Sequence, residues 1–132
     1  MITKIQPDKQ KSEALRKMVD ITLQRLNTTD MEKYPTNTLD DYYNIIHKLM
    51  EAITFVEGIK VKGEGAHKEL IDYIAEQYSF DEQTREFLQQ MRDYRNRISY
   101  EGFMIHKNYI ELNKEKIIKI VRRLSEVLDS KI

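Results

Sequence analysis

The stretch Met91-Arg92-Asp93-Tyr94-Arg95-Asn96-Arg97-Ile98-Ser99-Tyr100-Glu101-Gly102 gathers groups able to grip an anion. Read as a helix, it turns about 100° per residue. With Met91 at the centre of a buried stripe, Arg95 lies about 40° off centre, Ser99 about 80° and Arg92 about 100°. Arg97 points the other way, toward solvent. A guanidinium so near an apolar seam must meet a carboxylate, a phosphate or another chain, because an unpaired buried cation is prohibitive. Arg92 is a surface neighbour of Arg95, three residues on, and of Asn96, four on. Two Arg and an Asn beside a hydroxyl make a phosphate clamp, since Arg offers bidentate donors to phosphate oxygens. On spacing alone, an ion pair with an acid of the second helix is the simpler account.

The other candidate groups are scattered. His106 follows Gly102 in a segment read as irregular, His67 sits near the start of the third helix on its apolar side, and His47 edges the second helix near Tyr43. For each, an ordinary packed or boundary His is the simpler account. No His pair is four apart and none stands in an HExxH string, so no metal motif is present. The loop Gly58-Ile59-Lys60-Val61-Lys62-Gly63-Glu64-Gly65 leads into a helix N-terminus whose free amides could receive an anion. It is neither a Walker loop nor a dinucleotide fingerprint, Glu64 would repel phosphate, and a plain loop suffices. Tyr100 and Tyr109 could stack on a base if exposed.

Five helical segments must position these groups. In the first, Leu15, Met18, Val19, Thr22 and Leu26 share a face; Pro7 suits its first turn, and Asn27-Thr28-Thr29-Asp30 reads as its stop. Residues 28–37 form a loop. Thr38 with Asp41 suggests a cap for the second helix, whose stripe is Tyr42, Ile45, Ile46, Leu49, Ile53 and Val56. Gly58 suits its left-handed end. A short third helix carries Leu70, Ile71, Ile74 and Tyr78. Ser79-Phe80-Asp81-Glu82 fits a capping box opening a fourth helix from about Asp81 to Tyr100, with Phe87, Met91, Tyr94 and Ile98 inward and Gly102 at its end. Residues 103–112 read as extended or irregular. Asn113 caps a fifth helix facing inward through Ile117, Ile120, Val121, Leu124 and Leu128, with Leu112 and Ile117 spaced for a hydrophobic staple. Loops this short imply antiparallel neighbours: an all-α, up-and-down bundle of four to five helices.

Composition agrees and excludes much else. The 132 residues make one domain, 1–132. The absence of Cys excludes a disulfide scaffold, a thiolate metal site and a Cys nucleophile. Four Gly and two Pro argue against a turn-rich β fold. No apolar run is long enough to span a bilayer, and Met1-Ile2-Thr3-Lys4 is not the start of a signal peptide, so a cytoplasmic protein is expected. Lys plus Arg equals Asp plus Glu at 22 each. The zero total conceals an acid-rich segment (28–57) and a basic one (103–123), which a solvated helix exterior explains most simply.

The pattern Arg-x-x-Arg-Asn-Arg-Ile-x-Tyr-Glu-Gly at the end of a long helix, after Gly-Glu-Gly-Ala-His at 63–67, resembles the HEPN superfamily, above all its stand-alone archaeal members. The resemblance runs from about Asp41 to the last helix; the helix-four motif is moderately specific and the glycine motif weaker. It implies a bundle of four or five helices, usually a homodimer, with helix-four motifs meeting in a shared basic cleft. Active relatives are metal-independent ribonucleases marked by an Arg, often followed by a polar residue, and a His four to six residues further on. Arg95-Asn96 matches the Arg-plus-polar pair. Tyr100, after Arg95, and Ser99, after Arg92, occupy the two places open to the His. Proton transfer in metal-free RNA cleavage suits His near neutral pH, whereas Tyr, with a pKa of roughly 10, and Ser substitute poorly without an activator. The resemblance thus implies a module binding RNA or nucleotide phosphate through Arg92, Arg95 and Asn96 in a homodimeric cleft, catalytically impaired and needing no cofactor or metal. Two alternatives stand beside it. One is an active endoribonuclease using Tyr100, Ser99 or His106. The other is a structural partner of a nucleotidyltransferase, with which many relatives are paired in toxin–antitoxin fashion.

Overall fold

The computed structural model describes all 132 residues. Its order is β1 (Ile2–Lys4), α1 (Lys9–Asn27), α2 (Pro35–Glu57), β2 (Ile59–Val61), α3 (Ala66–Gln77), α4 (Glu82–Glu101) and α5 (Lys107–Asp129). The chain is an all-α helical bundle carrying one small two-stranded antiparallel sheet, in which Ile2 pairs with Val61 and Lys4 with Ile59. No helix is long and apolar enough to cross a membrane.

α2 is the hub and packs against each of the other four helices. Its apolar surface is wider than a single stripe. Tyr43, Met50, Ala52 and Phe55 are buried together with Tyr42, Ile45, Ile46, Leu49 and Ile53, as expected of a helix enclosed on most sides. α1 approaches it closely at Ser12, whose fully buried hydroxyl donates to Ala52 O at 2.7 Å. α2 ends at Gly58 (φ 79°), where a Cβ would lie 2.9 Å from Ile5 O. The missing side chain lets the β1–α1 linker lie against this end, and Ile5 N donates to Gly58 O at 2.9 Å.

Several helix boundaries differ from the sequence reading. α1 is capped by Asp8, which accepts from Lys11 N at 2.9 Å, so Pro7 precedes the helix. α2 starts at Pro35, whose fixed φ suits the first helical position. Thr38 is therefore buried inside the helix, its hydroxyl donating back to Tyr34 O at 2.8 Å. The Ser79 capping box does not form. Ser79 adopts φ 56°, and Asp81 caps α4 by accepting from Thr84 N at 2.7 Å. α5 begins six residues before Asn113, with His106 as its cap, because Ile110 is fully buried and extends the inward face. Only 103–106 are non-helical there, and Leu112, 82% exposed, makes no staple.

Candidate functional site

α4 is anchored by Phe87, Leu88 and Met91, all buried. That rotation leaves Arg92, Arg95 and Asn96 half-buried on the shoulder facing the start of α3. Between the two lies a cleft of about 370 Å³, walled on the α4 side by Arg92, Arg95, Asn96 and Tyr100. Ala66, His67, Lys68 and the glycines Gly63 and Gly65 form the other wall. Gln89 joins the walls: its Nε2 donates to Lys68 O at 3.0 Å while its Oε1 accepts from Arg92 Nε at 2.8 Å.

The two guanidinium groups are differently placed. Arg92 is steered by a neutral amide. Arg95 has Nε 3.5 Å from Asp40 Oδ1 of α2, an ion pair without a hydrogen bond, and that buried Nε has no hydrogen-bond partner. The expected pairing with an acid of the second helix therefore exists for Arg95 alone, and only at long range. Opposite them, Gly65 (φ 74°) caps the start of α3 without a side chain; Ala66 N donates to Gly63 O at 3.2 Å, which leaves the amides of His67 and Lys68 open. Open amides at a helix N-terminus favour anions. Glu64 is exposed and outside the cleft wall.

Among the remaining sequence candidates, Tyr100 stands at the cleft with 86% of its surface exposed and no hydrogen-bonded activator. Ser99 is exposed and does not line the cleft. His106 is occupied in capping α5, its Nδ1 accepting from Asn108 N at 3.2 Å. Arg97 is turned outward, pairs with Glu101 at 3.1 Å and lies over the Phe103 ring. Tyr109 packs on Tyr94 and donates to Gln90 Oε1 at 3.2 Å, so its ring is engaged within the bundle.

A chain of side chains from α2 and α3 lies behind the arginines. Tyr43, 1% exposed, has its hydroxyl 3.2 Å from His67 Nδ1. The His67 ring stacks on His47 with centroids 3.9 Å apart, and His47 Nε2 lies 3.3 Å from Glu51 Oε1. A second cavity of about 130 Å³ lies beside His47, Glu51 and His67, so His67 borders both spaces. Burial, then the neighbouring His47 and Arg95, push His67 below the usual imidazole range. Burial lifts the Tyr43 hydroxyl to about 12, although Arg92 and Arg95 pull against it. Burial would raise Glu51, but the hydrogen bond and charge of His47, with His67 and Lys11, bring it below the ordinary value. His47 and His67 lie face to face, a geometry in which their nitrogens do not converge on one ion, and no metal-ligand cluster of three is present. The sequence signals for this chain were the glycine motif ending in His67 and the nearness of His47 to Tyr43 along α2; neither shows that α3 brings the rings together.

No family model matches the chain, and neither a curated protein nor a solved structure matches it.

Proposed function

We propose that this chain is a HEPN-like helical module that binds RNA or nucleotide phosphate in the cleft between α4 and the start of α3. The observation that carries the reading is the pair Arg92 and Arg95 on one wall of a cleft, with the open amides of a helix N-terminus opposite and a single carboxylate at the limit of ion pairing. Arginine donors and open amides meet the same phosphate oxygens, and the exposed Tyr100 ring offers a base a stacking surface at the mouth. Asn96 adds a neutral donor and acceptor beside them. Binding without turnover is favoured over cleavage by Tyr100, Ser99 or His106, because Ser99 and His106 lie outside the cleft and Tyr100 has no activating partner.

We further propose a homodimer that completes the cleft. Leu88 is fully buried, and Phe103 is half-buried against Tyr94 and Arg97. The remaining apolar surface at the α4–α5 turn is Tyr100 and Met104, 86% and 77% exposed, and exposed apolar groups beside a binding site favour association. Sedimentation should show self-association at micromolar concentration; monomer alone at high micromolar concentration contradicts it.

The binding test is a salt titration with a short oligouridylate. Neutralising two to three phosphates gives a slope of log K against log salt of about −1.4 to −2.1 for a single strand. Binding that is insensitive to both salt and Arg92→Ala overturns the reading. Loss of folding or of partner association in that variant would favour the structural partnership with a nucleotidyltransferase.

A further inference from the structure

The cleft has a feature that anion binding alone does not require. Its wall includes an imidazole stacked on a second imidazole, with a tyrosine hydroxyl on one nitrogen and a carboxylate at the far end. We propose that His67 is the proton-linked anion ligand of this cleft: a phosphate diester seated against Arg92 and Arg95 draws one proton onto the His67 ring. The inference rests on the phosphate-binding reading above.

The groups around His67 set the direction. α2 presents Tyr43, His47 and Glu51; α4 presents Arg92 and Arg95, the latter beside Asp40 of α2; β2 contributes Lys60 across the smaller cavity; and Lys68 adjoins it on α3. Cations outnumber the carboxylates that face the ring, and Glu51 is engaged with His47. In the empty cleft burial, His47 and Arg95 disfavour the charged ring. A phosphate brings negative charge to the same wall and reverses that balance. The hydrogen bonds allow the change. The Tyr43 hydroxyl, 3.2 Å from Nδ1, can donate to that nitrogen in the neutral ring and accept from Nδ1–H in the protonated one while keeping its own proton. Nε2–H has no protein partner and remains a donor for the anion in both states.

The linkage has a definite sign. Affinity is constant below the free-state midpoint of His67, falls up to tenfold per pH unit as pH rises between the free and bound midpoints, and is constant again above the bound one. Oligouridylate with hydroxyl ends is the probe, because neither its diesters nor its bases titrate between about pH 5 and 8, where His does. Calorimetry in two buffers of different ionisation enthalpy should show uptake approaching one proton per site at intermediate pH. NMR of the wild-type His67 ring should show its midpoint moving upward on addition of the RNA. His67→Gln should flatten the pH dependence, and His47→Gln should raise the free midpoint of His67 and narrow the window. RNA that binds with no proton uptake and an unmoved His67 midpoint overturns this inference and leaves the phosphate-binding reading standing. Failure of the wild-type protein to bind the RNA at any pH removes both.

Discussion

Replacing Arg95 with Ala separates a cleft that grips an external anion from one whose arginine only braces the fold. The Arg95–Asp40 contact is 3.5 Å long, made by side chains 31% and 40% exposed, with no hydrogen bond. Such pairs contribute about 0.2–1 kcal/mol, so the urea midpoint should fall by no more than that implies. Loss of charge-assisted hydrogen bonds to phosphate costs about 1.5–3 kcal/mol, which is a ten- to hundredfold weakening of RNA binding. The salt slope should shrink by about 0.7 for the one phosphate no longer neutralised. Asp40→Asn gives the opposite sign. It removes the one carboxylate competing for Arg95, and binding should tighten about two- to fivefold, the equivalent of that weak pair. Fluorescence anisotropy with labelled oligouridylate, run beside urea unfolding, reads both quantities. Arg95→Ala that unfolds by about 3 kcal/mol or more while the wild-type affinity survives would refute the reasoning, and so would Asp40→Asn weakening the binding.

Three further outcomes test the surrounding structure. His67 has its folded-state midpoint depressed, so its contribution is present above the ordinary imidazole midpoint and lost as pH falls through the lowered one; the urea midpoint of the free protein should therefore drop less on acidification in His67→Gln than in the wild type. Gly58→Ala places a Cβ 2.9 Å from Ile5 O at φ 79° and should cost about 1–3 kcal/mol, read by thermal unfolding; an unchanged midpoint would mean that the β1–α1 linker does not lie there. Asp81→Ala should cost about 1 kcal/mol, whereas Ser79→Gly should stabilise modestly, by about 0.5–1 kcal/mol, because Ser79 sits at φ 56° and caps nothing. A capping box would reverse the sign at Ser79.

What the sequence carried and what it did not follow from the range of the forces involved. The apolar run from Tyr42 to Val56 already marks α2 as the most buried helix, and Gly58 and Gly102 end their helices as left-handed caps. The rotation of α4 was legible too, since Met91 inward and Arg97 outward follow from helical pitch alone. Starts were less legible than ends. Thr38 and Asn113 have capping side chains, but Pro35 and the buried Ile110 decide where α2 and α5 begin. The strands Ile2–Lys4 and Ile59–Val61 are too short to show a period, and each is specified by the other. The same holds for the site. Arg92, Arg95, Asn96 and Tyr100 lie within one helix and could be read from spacing. His67, His47, Tyr43, Glu51 and Gln89 come from three helices, and only the packing of α3 against α2 and α4 brings them to that wall.

The central claim is that guanidinium groups on the α4 shoulder hold an external phosphate. NMR of the arginine side-chain Nε–H groups during titration with oligouridylate reads it directly. Arg92 and Arg95 should shift together, with the amides of His67 and Lys68 following at the same RNA concentration and Arg97 unmoved. Shifts confined to the basic α5 face at Lys116, Lys119 and Arg123, with Arg92 and Arg95 unchanged, would contradict it.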